Sequence, residues 1–156
     1  DDIYAQTGTL NFADKGKEEF LENFRDKIGY RMTHKNNTVS FNGLVWQDSW
    51  YGNRLSYSCD ENLSLMFQAI NLFENDSYTL SSWGNDFVRS CRTPDQSKFT
   101  TFTTHTNVPF SEIEHIKIYK NGKVDLKFTG YEVAKKFYNM FYRKEWFQIW
   151  WKNIKT

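Results

Sequence analysis

Three histidines and two cysteines are the residues of this 156-residue chain best suited to proton transfer or nucleophilic attack. His105 and His115 flank a proline-containing loop, Thr106 to Glu114, with Glu112, Glu114 and Lys117 close in sequence. If the strands on either side pair, the two imidazoles approach each other. A histidine pair beside carboxylates and an ammonium can move protons on a phosphodiester, so a His-dependent hydrolase or nuclease is one expectation. His34 follows the first helix in a polar stretch and reads as exposed. Neither Cys59 nor Cys91 has a second Cys or His at ligand spacing, so no metal site is expected. The chain contains no zinc-protease helix motif, nucleophile elbow or glycine-rich phosphate loop. No cofactor and no catalytic residue are assigned, and the chain reads as non-enzymatic.

Cys59 and Cys91 end two strand-like stretches, Leu55 to Cys59 and Phe87 to Cys91. A disulfide between them would stabilise the fold by about 3–4 kcal/mol. It would also place the protein in an oxidising compartment, extracellular or periplasmic. The sequence opens Asp1-Asp2-Ile3 with no apolar leader, which reads as a mature chain whose signal peptide has been removed.

Aromatic residues are the compositional outlier, at 19% of the chain: fourteen Phe, nine Tyr and six Trp. Rings of this size fill a small core, but six tryptophans exceed that need and point to a contact surface. Two groups stand out. Trp46, Trp50, Tyr51 and Trp83 could line a cavity between sheet and helix, the mark of a small-ligand binder. Trp146, Phe147, Trp150 and Trp151, bordered by Lys144 and Lys152, form an aromatic stripe with a basic rim at the C-terminus. That stripe has the make-up of a protein-binding hot spot, and membrane-surface contact shares its composition. Nucleic acid is disfavoured. Basic and aromatic residues sort onto opposite faces there, whereas stacking and phosphate contact need one face.

Twenty basic against nineteen acidic residues leave a net charge of +1, which argues against binding by bulk charge. No apolar run reaches the ~18 residues of a membrane span. Residues 1–156 read as a single domain.

The elements that must position these groups follow from periodicity. Residues 3–12 read as a weak strand. Phe20, Leu21, Phe24 and Ile28 share one helical face, so a helix is predicted over 16–28, with Asp14 as N-cap and Gly29 closing it. Strands are predicted over 38–46, with Gly43 as a bulge, and over 54–59. Residues 62–73 read as a buried helix with Ser64, Gln68 and Asn71 as its polar stripe. Two strands, 78–83 and 86–91, are predicted to join at Gly84-Asn85, and 99–105 reads as β-rich. Residues 112–129 form a hairpin. A three-residue loop, 120–122, with left-handed Gly122 pairs Ile118 with Val124, Ile116 with Leu126 and Lys117 with Asp125. A two-residue loop would set isoleucine against charge, so the longer loop is chosen. It places His115 on the solvated face. Residues 132–143 read as an amphipathic helix, and the stripe rotates after Lys144, so this helix must end or kink there.

The expected fold is α+β: an antiparallel, hairpin-rich sheet with the N-terminal helix and an aromatic C-terminal helix packed on it. The leading functional expectation is a small exported, non-enzymatic binding or inhibitor-type domain that contacts a protein partner through its C-terminal aromatic face.

Overall fold

The computed structural model describes residues 2–50, 54–93 and 100–142. Within them run α1 (Asp2–Lys27), β1 (Met32–Lys35), β2 (Thr38–Phe41), α2 (Asp60–Asn75), α3 (Ser82–Arg92), β3 (Thr104–His105), β4 (Ile113–Ile118), β5 (Val124–Phe128) and α4 (Tyr131–Phe141). The five strands form one antiparallel sheet in the order β1-β2-β5-β4-β3. The fold is α+β, as the mixed element order predicts.

The β4–β5 hairpin takes the register its two faces require. Ile118 faces Val124, Ile116 faces Leu126, and Lys117 faces Asp125. Gly122 is left-handed, with φ 96°. Its amide donates to the Tyr119 carbonyl at 3.0 Å and closes the turn. One sheet face, including Val39, Phe41, Ile116, Ile118, Val124 and Leu126, is buried. The other carries the lysines, Asp125 and His115, which follows from the two-residue period of strand side chains.

Helices cover the apolar face. α4 packs on β1, β2 and β5. Its Phe137 touches Phe73, Phe128 and Phe141, with ring centroids 5.4, 5.2 and 4.7 Å away. Truncating such a ring costs about 3–5 kcal/mol through lost burial and the cavity left behind. α1 buries Phe20, Phe24 and Ile28, and Phe24 meets Phe41 of the sheet edge-on at 6.2 Å. The C-terminal ends of α1 and α4 are tied where Arg25 Nη2 donates to the Met140 carbonyl at 2.7 Å. A cation there also complements the negative end of the α4 dipole. α2 is buried nearly all round, through Leu63, Leu65, Met66, Phe67, Ala69, Ile70 and Leu72. Its expected polar stripe holds the next connection: Gln68 donates to the Tyr78 carbonyl and Asn71 to the Thr79 carbonyl, both at 3.0 Å.

Several expected elements differ. Residues 3–12 are helical, part of α1, and Asp14 lies inside that helix rather than capping it. Once the 16–28 turns are nucleated, each residue added costs only propagation, which outweighs a weak strand preference. Gly29 begins a 3-10 turn, Gly29–Arg31. The 38–46 strand stops at Phe41, and Gly43 sits in a turn with φ 63°. Residues 54–59 contain one isolated bridge, Gln47 to Leu55, then a 3-10 turn, Tyr57–Cys59. The two strands expected over 78–91 are replaced by α3. Ser81 caps it by accepting from the Gly84 amide at 3.1 Å. A Cβ on Gly84 would lie 3.2 Å from Phe67 Cβ, so this glycine lets α2 and α3 approach and makes no hairpin turn. The threonine-rich 99–105 run yields only the two-residue β3. α4 ends at Phe141 and Tyr142 is extended, so the helix stops just ahead of the rotated stripe.

Candidate functional site

The described residues 44–50 and 54–58, between β2 and α2, are anchored at several points. Gly122 O of the hairpin turn accepts from Leu44 N at 2.9 Å and Val45 N at 3.2 Å. Asn62 of α2 donates to Leu44 O at 2.9 Å. Trp46 N donates to Cys59 Sγ at 3.2 Å, and the thiol donates back to Trp46 O at 3.3 Å. Leu55 N donates to Cys91 O at 2.9 Å, which ties the return arm to α3. Between the two arms, Asp48 N donates to Arg54 O at 2.9 Å. The Asp48 carboxylate accepts from Trp50 N at 2.8 Å and lies 3.6 Å from Arg54 Nε. One aspartate thus holds Trp50 and Arg54 through its own backbone, its carboxylate and its ion pair.

This scaffold holds aromatic rings in solvent. Trp50 is 87% exposed, Tyr57 60% and Trp46 42%. The Trp46 indole donates to Ser58 Oγ at 2.8 Å, which fixes the ring although it is open to water. Arg92 of α3 lies over the Tyr57 ring at 4.8 Å and pairs with Asp60 at 3.2 Å. Burial raises the Asp60 carboxyl above its ordinary value and outweighs the opposing Arg92 charge. The sequence pointed to Trp46 and Trp50 through composition alone. Tyr57 and Arg92 carried no signal, because their approach depends on where α3 ends.

A concave feature lies along α3. A cleft of about 350 Å³ has Trp83, Asp86, Phe87 and Ser90 on one wall and His105, Thr106 and Asn107 on the other. Trp83 and Phe87 stack at 5.2 Å, and Phe87 meets the His105 ring edge-on at 4.9 Å. His105 Nε2 lies 2.9 Å from Thr101 O. A carbonyl only accepts, so Nε2 carries the proton and Nδ1 is the acceptor of the neutral ring. Burial lowers the His105 pKa and keeps the ring neutral.

The expected groupings are rearranged. Trp46, Trp50 and Trp83 do not share a cavity. Trp46 sits at the start of α2 against Ser58, whereas Trp83 packs on Phe67, two turns along the same helix, and on Phe110. Tyr51 lies outside the described residues, as do Lys144, Trp146, Phe147, Trp150, Trp151 and Lys152. The histidine pair is not assembled. His105 faces Ile116 in the sheet, so it shares the core side, while the adjacent His115 faces Lys127 on the solvated side. His34 is not in a loop. It lies in β1, half-buried, with its ring 5.2 and 5.7 Å from Tyr131 and Tyr138 of α4.

Cys59 and Cys91 are buried free thiols rather than a disulfide, and both belong to helical turns rather than strands. Burial raises both thiol pKa values, that of Cys91 furthest, with Cys59 and Asp60 adding to it. The exported location expected from a bridge is therefore carried by no observation in the structure. Among the described residues no cluster of His, Cys, Asp or Glu could hold a metal ion. No helix among them is long and apolar enough to cross a membrane.

Comparison with protein-family models, curated proteins and solved structures finds no match for this chain.

Proposed function

We propose that this chain is a binding module that acts by protein contact, with the 46–58 loop as its contact surface. The observation that carries this reading is Trp50, a large apolar ring 87% exposed whose backbone amide is held by the Asp48 carboxylate. Exposed indole is unfavourable in water, and a fixed backbone lowers the ordering cost of binding. Trp50, Trp46, Tyr57 and Arg92 are the residue types that dominate interface energetics. A protruding ring cannot enclose a small molecule; it fits a socket on a folded partner. A membrane surface fits less well, because Asp48 and Asp60 pair with the two nearby arginines, Arg54 and Arg92.

A photoreactive residue placed at position 50, in cells or extracts of the source, tests the proposal. It should crosslink one discrete protein. Excess unlabelled wild-type chain should compete the product away, and the Trp50→Ala chain should compete at least about 30-fold less well. A label at Lys127, on the solvated face of β5 beside Glu114, should give no such product. Equal crosslinking at both positions, or equal competition by Trp50→Ala, would overturn the reading.

A further inference from the structure

We infer that the cleft between α3 and the 105–107 segment is a binding site for a small organic cation, an ammonium group carried on an apolar or aromatic body. The volume, about 350 Å³, lies within the range of sites that enclose small molecules. Two aromatic rings supply the wall. Trp83 and Phe87 stack with an interplanar angle of 27° and are held from behind by Phe67, which meets both edge-on. Phe110 braces Trp83 at 5.4 Å. Trp83, partly exposed and supported by the other rings, presents the electron-rich surface that attracts a cation.

The charge of the cleft selects the ligand. Among the described lining residues Asp86 is the one carboxylate, and no lysine or arginine is present. Asp86 is exposed at the rim, where it can meet an ammonium group while the apolar body enters between Trp83 and His105. His105 adds no positive charge, because its buried ring is neutral. Ser90, Thr106 and Asn107 add oxygen acceptors suited to ammonium hydrogens. An anion would meet Asp86 with no lysine or arginine among the described lining residues to offset it, and a neutral molecule would leave Asp86 unused. No residue of the 46–58 segment is among the described lining residues, so the inference does not depend on the protein-contact reading.

Three probes of similar shape test this: benzylammonium, benzyl alcohol and phenylacetate, each titrated into the isotopically labelled full chain and followed by amide and indole NMR. The cation should bind saturably and shift the Trp83 indole and the amides of 83–90 and 105–107. The alcohol and the carboxylate should bind at least about tenfold more weakly. Asp86→Asn, an exposed change that leaves the ring stack intact, should weaken the cation about tenfold while the remaining spectrum stays folded. Trp50→Ala should leave cation binding unchanged. Equal affinity for all three probes, an unchanged affinity in Asp86→Asn, or shifts confined to residues outside the cleft would each overturn the inference.

Discussion

Trp46 and Cys59 grip each other from both sides: the Trp46 amide donates to the sulfur at 3.2 Å, and the thiol donates to the Trp46 carbonyl at 3.3 Å. The sulfur is therefore a structural group, placed where the exposed loop leaves the core. A buried thiol with a raised pKa holds little of the thiolate that alkylating reagents attack. Cys91 is more deeply protected in the same way. Native protein should therefore resist alkylation. Denaturation without any reductant should expose two reactive thiols, counted by mass. A requirement for reductant would show that the chain forms a Cys59–Cys91 bridge after all and would restore the case for export.

Gly122 couples the hairpin to the same loop. A Cβ at this position would lie 2.5 Å from Val45 O, and φ is 96°. Gly122→Ala should cost about 1–3 kcal/mol from backbone strain, with the clash adding to it. Urea unfolding should show the loss, and the Trp46 indole resonance should shift because residues 44–46 must move. A variant as stable as wild type would mean that the turn does not dock on residues 44–45.

The hairpin could be read from the sequence because two independent demands, buried isoleucines and a Lys117–Asp125 pair, admit a single register. The polar stripe of α2 could be read for a similar reason, since Gln68 and Asn71 fall on one helical edge. α3 could not. Its stripe of Trp83, Phe87, Val88 and Cys91 has helical spacing, but Gly84-Asn85 carries an equally strong turn signal. The glycine is instead required by Phe67, a residue distant in sequence. That misreading hid the cleft, because Asp86 and Phe87 share a wall with Trp83 only on a helix. β1 went unseen because its four residues, MTHK, bury only Met32. The solvated placement of His115 was legible. The core-side placement of His105 was not, because it depends on how β3 pairs with β4.

Asp48 holds the Trp50 amide and Arg54, so its removal should weaken binding beyond its effect on folding. Asp48→Ala deletes the acceptor of the Trp50 amide and the partner of Arg54. The hydrogen bond to the Trp50 amide is exposed, but the ion pair is largely buried, with Asp48 15% and Arg54 27% exposed, so its loss should cost about 1–3 kcal/mol of stability. Trp50 should also lose the hold on its amide. Hydrogen exchange at the Asp48 and Trp50 amides should accelerate at least about tenfold. Competition in the crosslinking assay should weaken by a similar factor while the chain stays folded in the absence of urea, with a lowered unfolding midpoint. Unchanged exchange would show that other contacts hold Trp50.

Acid should destabilise the fold through His105. Burial holds its pKa below the ordinary value in the native state, so the unfolded chain binds the proton first as pH falls. The stability held by the neutral ring is fully present above the unfolded value, ~6.5, and is lost as pH falls below it. The loss levels off once the native ring also protonates. His115 has the same sign, chiefly through burial and then Lys127. Asp60, raised by burial, has the opposite sign, and its effect begins only near the carboxylate range. Urea midpoints should therefore fall between about pH 7 and about pH 5. His105→Gln, whose side-chain amide can still donate toward the Thr101 carbonyl, should flatten that fall. The His105 ring should titrate by NMR below the ordinary histidine range. A ring titrating at or above that range, or a pH slope undiminished in His105→Gln, would show that the ring is not the buried neutral group that lines the cleft.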